Sequence, residues 1–397
     1  MKLDAQRWRA KRGITRILDA LGADEGLTRY VGGAVRDELL DIPVNDIDFA
    51  TRLHPDEVVA RLEQARIKAV PTGIAHGTIT AVADGQPAEI TTLRADVSTD
   101  GRRATVLFSD DWAADAARRD FTINALYADP TTGEIFDYFG GLDDLTARRV
   151  RFIGDPLQRI AEDHLRILRF FRFHARYGRG DPDPAALEAC AARANDLMAL
   201  SRERIADETV KILGLPDPVA TVALMVTRGI FAPVLPEIRD SSRLSSLVAD
   251  EAAAALPGDA IRRLASLLPR DPAIADKVAV RLRLSKKARK RLAAAADPDC
   301  SINPHALAYL HGTETALDRL LLARQPAEAA ALVGWPVPRL PTTGGALIKR
   351  GMTEGPAVAA TLKSIDRRWV EAGFPTGREF AQIVRQAIAG TGMKSVP

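Results

Sequence analysis

A chain of 397 residues exceeds one ordinary core, so roughly two to four domains or subdomains are expected. With 46% apolar but only 5% aromatic residues, it has material for a large core and favours helix over sheet along most of its length. A formal charge of +3 argues little for nucleic acid, although Arg far outnumbers Lys and its rigid fork suits phosphates and base edges. Cys190 and Cys300 stand far apart without ligand spacing, which excludes a disulfide framework and a zinc site and fits a reducing compartment. Charges at Lys2, Asp4, Arg7, Arg9 and Lys11 leave no signal-peptide core, and no apolar run approaches bilayer length. A soluble cytoplasmic protein with no membrane partner is expected.

Residues 4 to about 21 read as an opening amphipathic helix with Trp8, Ile14, Ile17, Leu18 and Leu21 on its apolar side. From about 28 to 138, short apolar segments recur between Gly, Pro and Asp: Arg29–Val31, Asp46–Phe49, Thr78–Val82, Ala88–Thr91 and Ala125–Tyr127. These predict strands, with helices near 34–40 and 55–65, and together an α/β head. After Gly140-Gly141 the pattern turns helical, over 156–177, 184–198, 203–214, 217–229, 258–268 and on to about 385, with a Pro-rich break at 332–341. The expected class is α+β. A head over 1–140 precedes an elongated all-helical region divided into a neck (141–214), a body (215–335) and a tail (336–397).

Val31-Gly32-Gly33-Ala34-Val35-Arg36-Asp37 carries a strand into two glycines and a helix, which brings backbone N–H groups close to a phosphate. Arg36, one turn into that helix, reaches the same region. Asp46 and Asp48, one residue apart on an apparent strand, share a face. Neighbouring carboxylates repel unless a cation lies between them, and two-metal phosphoryl transfer uses such a pair. Glu89, in Ala88-Glu89-Ile90-Thr91-Thr92, is the choice for a third carboxylate. A structural glycine turn and a solvated Asp-x-Asp turn are the bland alternatives. The half-buried setting of Asp48 between Ile47 and Phe49 weighs against them.

These segments resemble the polymerase-β-like nucleotidyltransferases, and more narrowly the bacterial-type (class II) tRNA nucleotidyltransferase and poly(A) polymerase family. Further stretches carry the likeness: Arg118-Arg119-Asp120-Phe121-Thr122-Ile123-Asn124-Ala125; Asp155-Pro156 through Arg159; Glu162-Asp163-His164-Leu165-Arg166; and Ser201-Arg202-Glu203-Arg204-Ile205 with Glu208. Thr343–Ile348 and Gly355-Pro356 resemble the family's C-terminal tail more weakly. The resemblance implies template-independent CCA addition to tRNA 3′ ends from CTP and ATP, with Mg2+ held by Asp46 and Asp48. It also implies that Gly32, Gly33 and Arg36 hold the triphosphate, and that Arg119, Asp120, Glu162, Asp163, Arg166, Arg169 and Arg172 line the nucleotide pocket. In one departure, Asp41 stands where the family usually has Gly.

The stretch Leu157–Tyr177 has a physical reading of its own. Leu165, Ile167, Leu168, Phe170, Phe171 and Phe173 surround it, yet Glu162, Asp163, Arg166, Arg169 and Arg172 are embedded in it. Such charges need partners or a polar cleft. Spacing by three sets Asp163, Arg166, Arg169 and Arg172 along one winding stripe. Asp163 can accept from the exocyclic amine of cytosine or adenine while Arg166 donates to the ring nitrogen. Uracil and guanine place a carbonyl there instead, and mismatched buried polar groups are rejected strongly, on the order of 10⁴-fold. Structural salt bridges crossing the helix are the alternative.

Asp100-Gly101-Arg102-Arg103 reads as an exposed turn, and resembles the family's flexible loop that helps switch from C to A. Lys286, Lys287, Arg289, Lys290 and Arg291 form the densest basic run, either a solvated face or a phosphate contact. Poly(A) polymerase is the nearest rival. Its relatives carry a Gly-Arg-Arg-Phe-like segment soon after the Asp pair, where this chain reads Pro71-Thr72-Gly73-Ile74-Ala75-His76-Gly77-Thr78. A small-molecule nucleotidyltransferase has little use for a long helical arm. An inactive RNA-binding scaffold would tolerate loss of carboxylates that are all present.

Overall fold

Strand-forming residues between Thr28 and Asp137 build a seven-stranded mixed sheet in the order β3-β4-β5-β2-β1-β8-β9. The strands are β1 (Thr28–Val31), β2 (Asp48–Thr51), β3 (Lys68–Gly73), β4 (Thr78–Ala83), β5 (Gln86–Thr92), β8 (Leu126–Ala128) and β9 (Ile135–Asp137). The computed structural model describes residues 2–4, 8, 10–44, 46–73, 77–100 and 103–390. Contacts divide the chain into two units, Met1–Pro236 and Glu237–Pro397. The α+β class expected from the sequence is what the chain adopts.

In the first unit β2 and β5 are parallel and the other neighbouring strands antiparallel. Alternate burial along β4 follows the period of the strand, with Ile79, Ala81 and Ala83 turned inward. A separate hairpin pairs β6 (Arg94–Asp100) with β7 (Arg103–Phe108). The turn expected at 100–103 falls between these strands, and its Gly101 and Arg102 lie outside the described residues. Strands β3, β6, β7 and β9 escape a reading based on apolar runs because Pro, Gly, Thr and charged residues dilute their pattern.

The opening helix is described only in part. Its described part, α1 (Arg12–Ala20), is entered through Lys11 in an extended conformation. Residues 5–7 and 9 of the expected span lie outside the described residues. Upstream of the expected span, Leu3 donates its N–H to the Gly133 carbonyl at 2.9 Å. The apolar side is as read: Ile14, Ile17, Leu18 and Leu21 are buried, and Trp8 meets Tyr30 edge-on at 4.8 Å. Gly13 is obligatory for this packing, since a Cβ there would lie 2.3 Å from the Ala83 carbonyl oxygen.

Helices α2 (Gly33–Leu39), α3 (Pro55–Gln64), α4 (Trp112–Ala117) and α5 (Gly141–Thr146) complete the head, followed by α6 (Pro156–Glu162) and α7 (Arg166–Tyr177). The single helix expected over 156–177 is therefore two. Asp163 is extended at φ −150°, and its carboxylate accepts the Leu165 N–H at 3.1 Å, so it ends one helix and opens the next. Arg166, Arg169 and Arg172 share α7, whereas Asp163 stands in the break. Phe121 packs on Phe152, Phe170 and Phe173 at 5.0–6.4 Å between ring centres. Each such pair contributes on the order of 0.5–1.5 kcal/mol beyond area burial. That cluster fixes α7 against the Arg118–Asn124 segment. Helices α8 (Pro184–Ala192), α9 (Arg202–Leu213) and α10 (Val219–Thr227) end the unit.

The second unit is helical: α11 (Ser242–Ala253), α12 (Ala260–Leu267), α13 (Pro272–Arg281), α14 (Lys286–Ala295), α15 (Pro304–His311), α16 (Thr313–Leu322), α17 (Pro326–Ala331), α18 (Gly344–Ile348), α19 (Pro356–Glu371) and α20 (Gly377–Ala389). One apolar cluster gathers Leu247, Leu307, Leu320, Leu321 and Leu332; another gathers Leu347, Met352, Ile365 and Val384. The basic run lies on α14 and splits by role. Arg289 pairs with Asp276 at 2.7 Å and Arg291 with Asp318 at 2.7 Å, while Lys286, Lys287 and Lys290 are exposed. Among the described residues, no helix is long and apolar enough to cross a membrane.

Candidate active site

β1 runs out at Val31 into Gly32, whose φ of 69° and ψ of −121° only glycine adopts without strain. A Cβ at Gly32 would also press to 3.3 Å from Arg119 Nη1. The turn starts α2 and sets Arg36 inward, where it is 6% exposed. Its guanidinium donates to Asp37 at 2.8 Å, to the Tyr177 hydroxyl at 2.6 Å and to the Asn124 side-chain oxygen, and stacks 4.0 Å over the Tyr177 ring.

β2 begins at Asp48, so Asp46 lies just before the strand rather than on it, with Asn45 outside the described residues. Both aspartates nonetheless line one cavity of about 280 Å³, together with Gly33, Ala34, Asp37, Pro43, Val44 and Arg176. The parallel β2–β5 register puts Glu89 directly beside Asp48. Burial, then the charge of Glu89, with Asp46 adding and Arg119 opposing, pushes the Asp48 carboxyl up to about 6. A carboxylate crowded by two others is a site that gains from a cation. Glu89 is exposed and lines neither cavity of the site, and among the described residues no group of three or more His, Cys, Asp or Glu forms a metal-holding cluster. The donor set fits a divalent ion of the magnesium type, which binds through one or two carboxylates and takes its remaining oxygens from substrate phosphates and water.

A second cavity of about 470 Å³ shares Gly33 and Asp48 with the first. Gly32, Arg36, Arg119, Asp120, Asn124, Asp163, Arg166, Arg169 and Phe173 line the rest of it. Each charge is held from behind. Arg119 donates to Asp115 at 3.1 Å and to the Tyr127 hydroxyl at 3.2 Å. Burial favours neutral Asp115, but Arg119, Arg118 and the Tyr127 hydroxyl outweigh it and lower its carboxyl to about 2. Asp120 accepts from Asn124 at 2.9 Å and from Arg169 at 2.8 and 2.5 Å. Burial opposes its charge, and Arg169 with these hydrogen bonds still lowers its carboxyl below the usual range.

Arg166 donates to Glu162 at 2.6 Å and to the Arg159 and Arg118 carbonyls at 2.8 and 3.1 Å. Glu162 also takes Arg159 at 2.6 Å, so it braces this corner from outside the cavity lining. Asp163 lines the cavity while both its oxygens face Arg204 Nη2 at 3.0 and 2.8 Å. Arg172 lies outside the lining, paired with Glu208 at 2.6 Å. Of the residues singled out in the sequence, nine meet around this one cavity: Gly32, Gly33, Arg36, Asp48, Arg119, Asp120, Asp163, Arg166 and Arg169. Asp46 joins through the adjoining one. Asn124, Phe173, Tyr177 and Arg176 were not assigned roles from the sequence. A weak signal exists for Arg176 and Tyr177, which continue the Arg and aromatic spacing of α7 to its end.

Size alone points elsewhere, to a cavity of about 620 Å³ in the second unit bordered by Ile302, Ala306, Leu310 and Val370. That lining is chiefly apolar, whereas the paired cavities at Asp48 carry convergent charges that reacting phosphates require.

Residues 28–151 match the family described as Poly A polymerase head domain, and residues 181–241 that described as probable RNA and SrmB- binding site of polymerase A. The head is thus that of a nucleotidyltransferase. Over 94% of its length the chain is 34% identical to human "CCA tRNA nucleotidyltransferase 1, mitochondrial", covering 90% of that protein. It is 32% identical to the CCA-adding enzyme of Lacticaseibacillus paracasei, over 94% of this chain and 96% of that one. The structure of the Bacillus stearothermophilus CCA-adding enzyme in complex with CTP matches with a TM-score of 0.75 at 25% identity, covering 96% of this chain and 99% of that one. The chain belongs to the CCA tRNA nucleotidyltransferase family.

Proposed function

We propose that this chain adds C, C and A stepwise to the 3′ end of tRNA, drawing on CTP and ATP. One observation carries the reading: Asp163 and Arg166, an acceptor and a donor suited to a base edge, line the same cavity as Asp48 in a chain similar over 94% of its length to CCA-adding enzymes. The relatives matched along the whole chain are named for CCA addition, which disfavours A-only addition.

In each step the RNA 3′ oxygen bonds to the α-phosphorus, the bond from that phosphorus to the bridging oxygen breaks, and pyrophosphate leaves. The hydroxyl proton passes to solvent. Asp46 and Asp48 would hold Mg2+, which would lower the pKa of the attacking hydroxyl and neutralise phosphate charge. Gly32 and Gly33 admit the phosphates close to the backbone, with Arg36 supplying positive charge beside them. Asp163 and Arg166 present an acceptor and donors to the base, which requires Asp163 to exchange its contact with Arg204 for the amine. Arg119, Asp120 and Arg169 form the cavity wall, and Glu162 and Arg172 hold it in place through their ion pairs. The same proposal covers the boundaries of head (1–140), neck (141–214), body (215–335) and tail (336–397), and a cytoplasmic location, although the human relative is named as mitochondrial.

The test is incubation of tRNA lacking its 3′ end with magnesium and each labelled nucleotide separately, then together. C incorporation followed by a single A is expected. Long A tracts without C would overturn CCA addition in favour of poly(A) synthesis.

A further inference from the structure

The two cavities at Asp48 differ in chemistry. The larger holds Asp163 and Arg166 at the base-reading wall, together with Arg36, Arg119 and Arg169. The smaller holds Asp37, Asp46 and Asp48, and its single cationic lining residue is Arg176. Gly33 and Asp48 belong to both. A nucleoside triphosphate is linear in its order of groups: base, ribose, then α-, β- and γ-phosphate. With the base at Asp163 and the α-phosphate at the shared Gly33 and Asp48, the β- and γ-phosphates extend into the smaller cavity.

That cavity is acidic, and two phosphates carrying most of the substrate's charge need more than the carboxylate-bound cation to be held there. Arg36 is a poor supplier of directed donors, because Asp37, Asn124 and Tyr177 already engage it. Asp37 is likewise satisfied by Arg36, at 2.7 Å. Arg176, in the last turn of α7, is held more loosely, with its guanidinium 5.2 Å from the Tyr177 ring centre. Among the described residues its nearest acidic group is Asp37 at 3.8 Å, beyond hydrogen-bond length, and its side chain is 44% exposed. Its planar fork matches two phosphate oxygens at once.

We infer that Arg176 binds the β- and γ-phosphates of the incoming nucleotide, and that the cavity it shares with Asp46 receives the departing pyrophosphate. This rests on the nucleotidyl-transfer reading above. It assigns Arg176 to the leaving group and not to the base, so C and A steps depend on it equally.

The test is equilibrium binding of CTP, CMP and pyrophosphate to the full chain with magnesium, for wild type, Arg176→Ala and Arg176→Gln. Loss of one charge-assisted contact weakens CTP and pyrophosphate roughly 10- to 100-fold, while CMP, which lacks both distal phosphates, stays within about twofold. The side chain is half out in solvent, so melting temperature is expected to hold. Should Arg176→Ala lower it, the Gln variant, which keeps the aliphatic stem and removes the charge, carries the comparison. Equal weakening of all three ligands, or of none, overturns the role of Arg176. Wild-type protein that binds no CTP overturns the nucleotidyl-transfer reading instead.

Discussion

Two regions of the molecule concentrate charge in opposite ways. In the second unit, Arg262, Arg263, Glu251 and Asp318 are all at most 6% exposed, and each acidic oxygen meets a guanidinium of Arg262, Arg263 or Arg291 at 2.7–2.9 Å. Arg291 closes the network through Asp318 and Asp259. In the first unit, Asp48 lies beside Asp46 and Glu89 with no ion pair among the described residues, and despite the opposing charge of Arg119 its carboxyl is driven up to about 6. Matched buried charge is scaffold, since desolvation is offset within the protein. Unmatched like charge persists where a ligand supplies the missing partner.

The largest effect that can break this contrast is on turnover. Asp46→Ala should reduce nucleotide incorporation by at least about 10³-fold with the melting temperature little changed. Retained turnover would remove Asp46 from the chemistry. The scaffold should behave inversely: Asp318→Ala strands Arg262 and Arg291 and should cost about 3–5 kcal/mol in chemical denaturation, with CTP affinity preserved. If stability holds, the network is not the scaffold described.

A smaller effect sharpens the comparison through pH. The folded Asp48 carboxyl, at about 6 against an ordinary 3.8, binds its proton more tightly than the unfolded chain does. Its contribution is therefore most favourable below pH 3.8 and is lost as pH rises to about 6. Asp48→Asn should stabilise the metal-free protein by ~1–2 kcal/mol near neutral pH, after discounting for partial exposure, and by nothing in acid. Melting curves across pH, alongside a loss of activity, check both halves.

The smallest concerns a departure noticed in the sequence. Asp41 takes φ 56°, with its N–H on the Glu38 carbonyl and the Ile42 N–H on that of Asp37, a left-handed helix end that glycine adopts freely. Asp41→Gly should add on the order of 0.5–1 kcal/mol. A loss of stability would mean that the carboxylate has a local partner that outweighs the backbone strain.

Much of the site was legible because its signals are local. Gly32 is readable as a turn glycine, and an Asp-x-Asp beside apolar neighbours as a carboxylate pair. The fold class followed from strand punctuation giving way to helical period. The break at Asp163 was not legible, because apolar residues continue through it and the Asp that interrupts the helix also looks like part of the stripe. Glu162 and Arg172 seemed equivalent to Arg166 and Arg169, yet only the latter pair lines the cavity.

The sequence by itself determined which chemical groups the chain offers: closely spaced carboxylates, a row of arginines, and glycines that leave room for close backbone approach. Those are properties of residue type and short spacing. Tertiary structure decided which charges stay open to a ligand and which are consumed as braces. That depends on partners far away in the chain, such as Asp120 for Arg169, Glu208 for Arg172 and Arg204 for Asp163, brought within hydrogen-bond reach only by packing.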